Sequence, residues 1–560
     1  MKARQLVTGL AGAAAMIALV NIASRVVGFL RWGVMLSEVG ADAVGNAYTS
    51  ANALPNVLFE VVAGGALAGA VVPLIAAPLA RSMRRDVDRT ASALVGWALA
   101  VLVPLALVVA LLARPLVGLF MQGKTEVEIE LAATFLTAFA VQIPLYGIGV
   151  VLTGVLQAQR RFLAAAMAPL LNSLVVIAAF LAFGRMVPGA KDDPAAVADA
   201  AVALLGWGTT AGVAVMTLSL LWPAHRTGVR LRPTLAFPEG VAVRARALAV
   251  AGLGAVIAQQ VSVLAAMTMS NAHGGAGTFP VFLSTQAVYL LPYAVLAFPL
   301  ATATLPRLAE RAARGDRPGF ALLTASTTRA VLLVSGIGAA ALVAVAPAVE
   351  QVFVPIAKGD VTGMAEGLTW MAPGLLGFGL ILHLSRALYA LHRGRVAVTA
   401  TASGWFVMAV AAVVLVPLLV GAGADQVATL QGLGVANSIG MTVAGVGLVV
   451  GIVRSAGRAA VDGLARTGAA LVVASVAGAW LGRWCVNALD ASDLAGGVLS
   501  GVLGAAVCGV VVGGLMWLFD RSVVRTLRGR PGPADAADVA ADVVGLGSPE
   551  SRDGDGTTVG

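Results

Sequence analysis

The chain has 560 residues, of which 59% are hydrophobic and only 12% charged, whereas soluble domains hold nearer a quarter charged residues, so an aqueous globular surface is excluded. The formal charge of +9 does not point to nucleic acid, because Lys and Arg fall between hydrophobic blocks and not on one basic, aromatic-studded face. The blocks run to roughly twenty residues, enough to cross a ~30 Å hydrocarbon core as helices, and they lack the period-two alternation of barrel strands.

In chain order the apolar runs predict spans near 11–37, 44–79, 91–119, 130–157, 163–184, 199–222, 246–270, 277–304, 322–347, 364–390, 395–420, 426–452, 465–488 and 494–519. The fold class is therefore an all-α polytopic membrane protein of about 14 transmembrane helices. The first block, Leu6 to Val20, follows Lys2 and Arg4 but continues through Arg25 and Arg31 without a clear cleavage site, so it reads as a span and not a signal peptide. With the N-terminus in the cytoplasm, 27 loop Lys and Arg fall inside and six outside, the six being Arg114, Lys124, Arg185, Lys191, Lys358 and Arg483. That bias predicts an N-in/C-in topology. Cys485 and Cys508 lie in apolar segments without a CxxC or a nearby His, and read as buried thiols.

Sequence echoes suggest two pseudo-symmetric six-helix lobes plus two C-terminal helices. Leu54-Pro55 leads to Pro73 as Leu291-Pro292 leads to Pro306, and Gly147-Ile148-Gly149 before Arg160-Arg161 matches Gly377-Phe378-Gly379 before His392-Arg393, at offsets of 230 to 237 residues. An even number of intervening helices makes this a parallel repeat. The expected divisions are an N-terminal lobe at 1–232, a C-terminal lobe at 233–460, the last two spans with a basic juxtamembrane segment at 461–530, and a tail at 531–560. The tail, rich in Ala, Asp, Gly and Ser, reads as disordered and cytoplasmic.

An ionisable group inside a span costs about 2.5–3.5 kcal/mol at the helix centre, so each one marks a functional hypothesis. Arg25 and Arg31 are six apart in the first span, about 240° net around the axis, and can border one wide cavity at different depths; for Arg31 the alternative is snorkelling to the outer interface. Glu60 stands in a second span that Pro55 and Gly64-Gly65 dispose to bend. It can gate, exchanging a proton, or form a structural pair with Arg25 or Arg31. Asn52, Asn56, Gln259, Gln260 and Gln286 offer neutral hydrogen bonds to a cavity or between helices. His383 and Arg386 share a face of the tenth span, where phosphate contact competes with a hydrogen-bonded His383 and a snorkelling Arg386. Nothing resembles a catalytic triad, a phosphate-cradling loop or a metal cluster, so a transporter and not an enzyme is expected, with no cofactor and no metal.

Residues 23–79 contain Ser24-Arg25-x-x-Gly28-Phe29-x-Arg31, then Asn52-Ala-Leu54-Pro55-Asn56, then Val71-Val72-Pro73. This text closely resembles the MurJ (MviN) family of lipid II flippases, within the multidrug/oligosaccharidyl-lipid/polysaccharide exporter superfamily. The resemblance implies a V-shaped central cavity that binds the diphosphate of an undecaprenyl-linked disaccharide-pentapeptide, with Arg25 and Arg31 on the family's two first-helix arginines. It also implies a multi-pass protein of the cytoplasmic membrane, serving peptidoglycan biosynthesis by alternating access. Expected partners are lipid II, the bilayer, and cell-wall synthesis and division proteins. Two departures stand out: Phe59-Glu60 replaces an arginine pair after Leu-Pro-Asn, and Gln286-Ala287 lies near an eighth-helix arginine position. The seventh-helix acid linked to sodium in some members is also missing. Competing readings are export of another polyprenyl-linked polysaccharide, export of drugs, or a non-transporting scaffold for cell-wall enzymes.

Overall fold

In lipid every backbone N–H and C=O must be satisfied within its own segment, and a computed structural model of the chain meets that demand with helices. It describes residues 2–61, 68–189, 193–489 and 493–523. Gly64, Gly65 and the expected tail at 531–560 lie outside the described residues. The first half comprises α1 (Lys2–Glu38), α2 (Ala43–Phe59), α3 (Ala68–Ala80), α4 (Arg84–Leu111), α5 (Ala113–Phe120), α6 (Glu126–Ala140), α7 (Gln142–Ala158), α8 (Phe162–Met186), α9 (Asp199–Leu218) and α10 (Leu221–His225). The second half comprises α11 (Val241–His273), α12 (Thr278–Pro292), α13 (Phe298–Ala313), α14 (Arg317–Phe353), α15 (Met364–Met371), α16 (Gly374–Ala390), α17 (Gly394–Val420) and α18 (Gln426–Ala456). The C-terminal pair is α19 (Leu464–Ala488) and α20 (Leu494–Phe519).

Among the described residues, 12 helices are long and apolar enough to span, or 13 with α15 and α16 taken as one span bent by 48°. The second expected span is not among them, because α2 and α3 flank residues outside the description. Several spans that look continuous in sequence are interrupted, and proline supplies the reason. Pro144 follows the α6/α7 break at Val141, and Pro373 stands at the α15/α16 break; each ring displaces the preceding turn. The loosened backbone is re-satisfied from a neighbouring helix. Thr210 of α9 donates to Ala138 O at 2.9 Å and accepts from Gln142 Nε2 at 3.0 Å. Ser438 of α18 donates to Trp370 O at 2.6 Å and accepts the Gly374 N–H at 3.0 Å.

The two halves repeat such devices. A π-helical turn begins at Glu60 after α2 and spans Tyr293–Ala297 after α12. Four helices end alike, with a left-handed residue at Ser82, Arg160, Gly315 or His392. In each, that N–H bonds back three residues and the next N–H five, as Arg161 to Leu156 O at 2.8 Å and Arg393 to Leu388 O at 2.8 Å. This is the Schellman closure of a helix C-terminus. Helix α1 packs on α8 and α8 on α9, just as α11 packs on α17 and α17 on α18.

Loops gather at two ends. At one, Ala41 N–H donates to Lys358 O at 2.7 Å and Asp425 N–H to His273 O at 2.8 Å. This end carries Lys124 and Lys358 of the sparse set expected outside. At the other, Arg161 reaches Arg226 O, and the connection between the halves lies along α4: Arg230 N–H donates to Asp88 and Trp97 Nε1 to Leu235 O at 3.0 Å. There too Arg329 pairs with Asp520 at 2.9 Å, which ties α14 to the end of α20. The expected thiols are half-buried at Cys485 and buried at Cys508.

Candidate functional site: a polar cavity between the halves

Between the halves lies a cavity of about 180 Å³, walled by Arg31, Trp32 and Met35 of α1, by Tyr48, Asn52, Asn56 and Glu60 along α2, and by Gln260, Phe279 and Leu283 from the second half. One side is polar because α2 places Asn52, Asn56 and Glu60 four apart, which stacks them on one helix face. Asn56 Nδ2 donates to Asn52 O at 2.9 Å, and Tyr146 of α7 donates its hydroxyl to Asn56 Oδ1 at 3.1 Å. Asn52 Oδ1 is buried without a partner, an acceptor left open at the cavity wall.

Of the expected site residues, the structure brings Arg31, Asn52, Asn56 and Glu60 together. Arg31 thus faces the cavity, as against the snorkelling alternative. Glu60 shares the cavity but forms no ion pair with Arg25 or Arg31 within 4.0 Å. Pro55 is buried within α2, one residue from Asn56. Gln260 lines the cavity, whereas Gln259 and Gln286 are half-buried and are not among its lining residues. Arg25 stands apart, exposed, with its guanidinium 5.3 Å from the Phe298 ring centroid in α13. His383 is buried, its Nε2 3.0 Å from Thr327 Oγ1, while Arg386 on the same helix donates to Thr302 at 3.0 Å. The two residues therefore serve different neighbours.

Trp32, which lines the cavity, and Tyr146, which bonds to the lining Asn56, went unread in the sequence. A signal for Tyr146 existed: it is one of only five tyrosines and falls inside an apolar run. Tyr48 packs edge-on against Phe135, Phe139 and Phe180 and shares a hydrogen bond with Thr209 at 3.0 Å. That packing holds the α2 face in register.

One end of the cavity is closed by bonds that cross between the halves. Asn46 Nδ2 donates to Asn271 Oδ1 at 2.8 Å, and Asn271 Nδ2 donates to Ser50 Oγ and Phe120 O, each at 3.2 Å. Lys358 N–H donates to Leu36 O at 2.9 Å, and Lys124 Nζ donates to Gly275 O at 2.5 Å. Burial lowers the Lys124 pKa, countered by the nearby Glu128. Gly277 adopts φ +84° with its α-hydrogen side against Ala41 O, so no Cβ fits there. This end is a seal, and 180 Å³ is below the ~300–1,000 Å³ of a drug-sized ligand site. The conformation is contracted; a large head group needs the halves to part.

A family model described as "Lipid II flippase MurJ" matches residues 35–494. A curated relative from Rhizobium meliloti (strain 1021), "Probable lipid II flippase MurJ", is 29% identical over 302 residues, 53% of this chain and 54% of that protein. The chain thus spans about half the length of the curated relative it matches. Among solved structures, a lipid II flippase MurJ in an inward closed conformation aligns with TM-score 0.67 at 14% identity, covering 89% of this chain and 98% of that one. A multidrug resistance MATE family transporter in an inward-facing conformation aligns with TM-score 0.62 at 15% identity, covering 78% and 98%. At such identities the likeness concerns the fold.

Proposed function

We propose that this chain, which belongs to the lipid II flippase MurJ family, moves a lipid-linked peptidoglycan precursor from the inner to the outer leaflet of the cytoplasmic membrane by alternating access. The observation that carries the reading is Arg31 set in an inter-half cavity beside a polar ladder and beneath a seal. A diphosphate-linked glycopeptide cannot cross hydrocarbon unaided, because its ionised groups lose their hydration. A hydrated path with a fixed cation lowers that barrier while the polyprenyl tail stays in lipid.

In this reading residues 1–232 and 233–460 are the two rocking lobes, 461–530 the appended pair, and the N- and C-termini face the cytoplasm. Arg31 and Arg25 receive the diphosphate, and Asn52, Asn56 and Gln260 bond the sugar. Glu60, near the π-helical turn after α2, lies where the helix bends as access alternates. With the interior negative, each negative charge carried outward gains roughly 2.3 kcal/mol per 100 mV, so the membrane potential can drive export.

Depletion of the protein with leaflet-resolved assay of lipid II tests the assignment. The precursor should accumulate on the inner leaflet; normal outer exposure with continued growth would overturn it. The cavity acid Glu60 favours one second reading, export of organic cations by a MATE-like route. That reading predicts drug hypersensitivity on Glu60→Gln with precursor export intact.

A further inference from the structure

Two arginines from different halves share one aromatic ring, with no ion pair to either among the described residues. Arg25 of α1 and Arg386 of α16 approach the same ring, Phe298 in the first turn of α13, with guanidinium carbons 5.3 and 5.8 Å from its centroid. Arg386 spends one N–H on Thr302 Oγ1, whose own proton goes to Phe298 O at 2.7 Å. Arg25 donates to no described residue, and neither arginine belongs to an ion pair among the described residues. A cation–π contact is a weak partner for a charge at the edge of hydrocarbon. One ring therefore does not account for two like charges held together. Their remaining N–H groups suit an anion with several oxygens.

Position narrows the choice of anion. Arg25 lies six residues before Arg31, a helix rise of about 9 Å toward the inner end, and outside the cavity lining. Only 11% of the apolar window of α1 is buried, the smallest share of any candidate span. Ile22, Val26, Val295 and Leu296 are all exposed nearby. An anion held here borders lipid, which selects an amphiphile over free phosphate.

We propose that Arg25 and Arg386, backed by Phe298, form a second anion subsite at the inner, lipid-facing edge of the cavity, which takes the diphosphate of an isoprenoid-linked substrate before Arg31 does. The proposal rests on the cavity being a diphosphate path. A diphosphate offers oxygens on two phosphorus atoms, so each guanidinium can grip one phosphoryl group bidentately while the isoprenoid chain stays in the bilayer. Passing from this pair to Arg31, the negative charge always has a cation beside it. Arg386 thereby supplies, from α16, positive charge that Phe59-Glu60 and Gln286 do not. A glycerophospholipid carries the same phosphate chemistry and is the alternative source of the ligand.

The test is binding of undecaprenyl diphosphate to the full-length protein in nanodiscs, with phosphatidylglycerol as competitor. Arg386→Gln should weaken the probe about tenfold, the loss expected for one charge-assisted contact, and Arg386→Lys should recover only part of it because Lys lacks the planar fork. Should Arg386→Gln melt early, Phe298→Leu, which keeps both charges, should still cost about threefold. Unchanged affinity in these variants alongside a loss in Arg31→Gln sinks the subsite but leaves the flippase reading standing. Unchanged affinity in all of them sinks the diphosphate path itself. Displacement of the probe by phosphatidylglycerol at equal concentration assigns the pair to ordinary phospholipid and overturns the proposal.

Discussion

The first half plugs its broken helix with Thr210 and the second half plugs its own with Ser438, yet the walls they give the cavity differ in kind. The α2 face carries Asn52, Asn56 and Glu60, with Arg31 opposite on α1. At the matching π-helical turn the second half has Tyr293, packed on Phe378 with ring centroids 4.7 Å apart, and it adds mainly Val263, Phe279 and Leu283 to the cavity. Breaks, hydroxyl plugs and Schellman ends recur because both halves face the same demand for satisfied backbone in lipid. The charge that lines the cavity, Arg31 and Glu60, is concentrated on one side.

The most direct way to break this division of labour is to remove the charge. Arg31→Gln should cut precursor translocation in proteoliposomes by about 100-fold, as expected when an ionic partner with two hydrogen bonds is lost, with the folded fraction unchanged. Leaflet-resolved flipping at parental rate would show that the polar wall is structural.

A charge that is fully satisfied should behave in the opposite way. Asp520 is 3% exposed and accepts from Arg329 Nη2 at 2.9 Å, from Thr467 Oγ1 at 2.5 Å and from Ser522 Oγ at 2.6 Å. Burial alone would raise its pKa, but the bonds from Ser522 and Thr467 and the Arg329 guanidinium hold it below the ordinary 3.8. Its contribution is therefore complete above pH 3.8 and lost as pH falls through the lower folded value. Asp520→Asn should cost roughly 3 kcal/mol, since it strands a half-buried arginine, without altering diphosphate affinity. Thermal unfolding in detergent at pH 7, set against probe binding, separates the two effects.

How much of this was legible in the sequence follows from what each signal measures. Hydropathy reports burial in lipid, and it placed the described spans closely, as with 163–184 against Phe162–Met186. Arg31 and Glu60 were visible because an ionisable group in an apolar run is rare. Pairings between distant helices were not: Asn271, which bonds across the halves, and Thr210 and Tyr146, which bond within the first, look ordinary until packing brings them to partners at 2.8 to 3.1 Å. Arg25 and Arg31 share a helix, yet their directions part, one toward Phe298 and one into the cavity. Sequence spacing fixes an angle around the axis, and only packing decides what stands at that angle.

The seal is where the halves meet on equal terms. Asn271→Ala removes bonds to Asn46, Ser50 and Phe120 O together, which should weaken closure by about 2 kcal/mol and raise the outward-open fraction roughly thirtyfold from a small base. Disulfide trapping between cysteines placed at Ala41 and Lys358, with Cys485 and Cys508 replaced, reads it: trapping should slow. Unchanged trapping would mean that backbone contacts alone hold the end shut.

The smallest effect tests the skeleton itself, using one motif in both halves. Ser82 in the first half and Gly315 in the second both close Schellman ends with left-handed φ, at 58° and 71°. Ser82 is exposed and makes no side-chain bond, and a Cβ at Gly315 would meet nothing within 4 Å. Substitution at either site therefore isolates backbone strain, which is ~1–2 kcal/mol for a non-glycine residue in this region and is partly offset by glycine's greater freedom in the unfolded chain. Ser82→Gly should stabilise the protein by several tenths of a kcal/mol and Gly315→Ala should destabilise it by about 1 kcal/mol. Opposite shifts in thermal unfolding would mean that the repeat is maintained by local backbone geometry. Shifts of the same sign would tie one of these turns to contacts that its counterpart lacks, and would limit the symmetry of the halves to the helices between them.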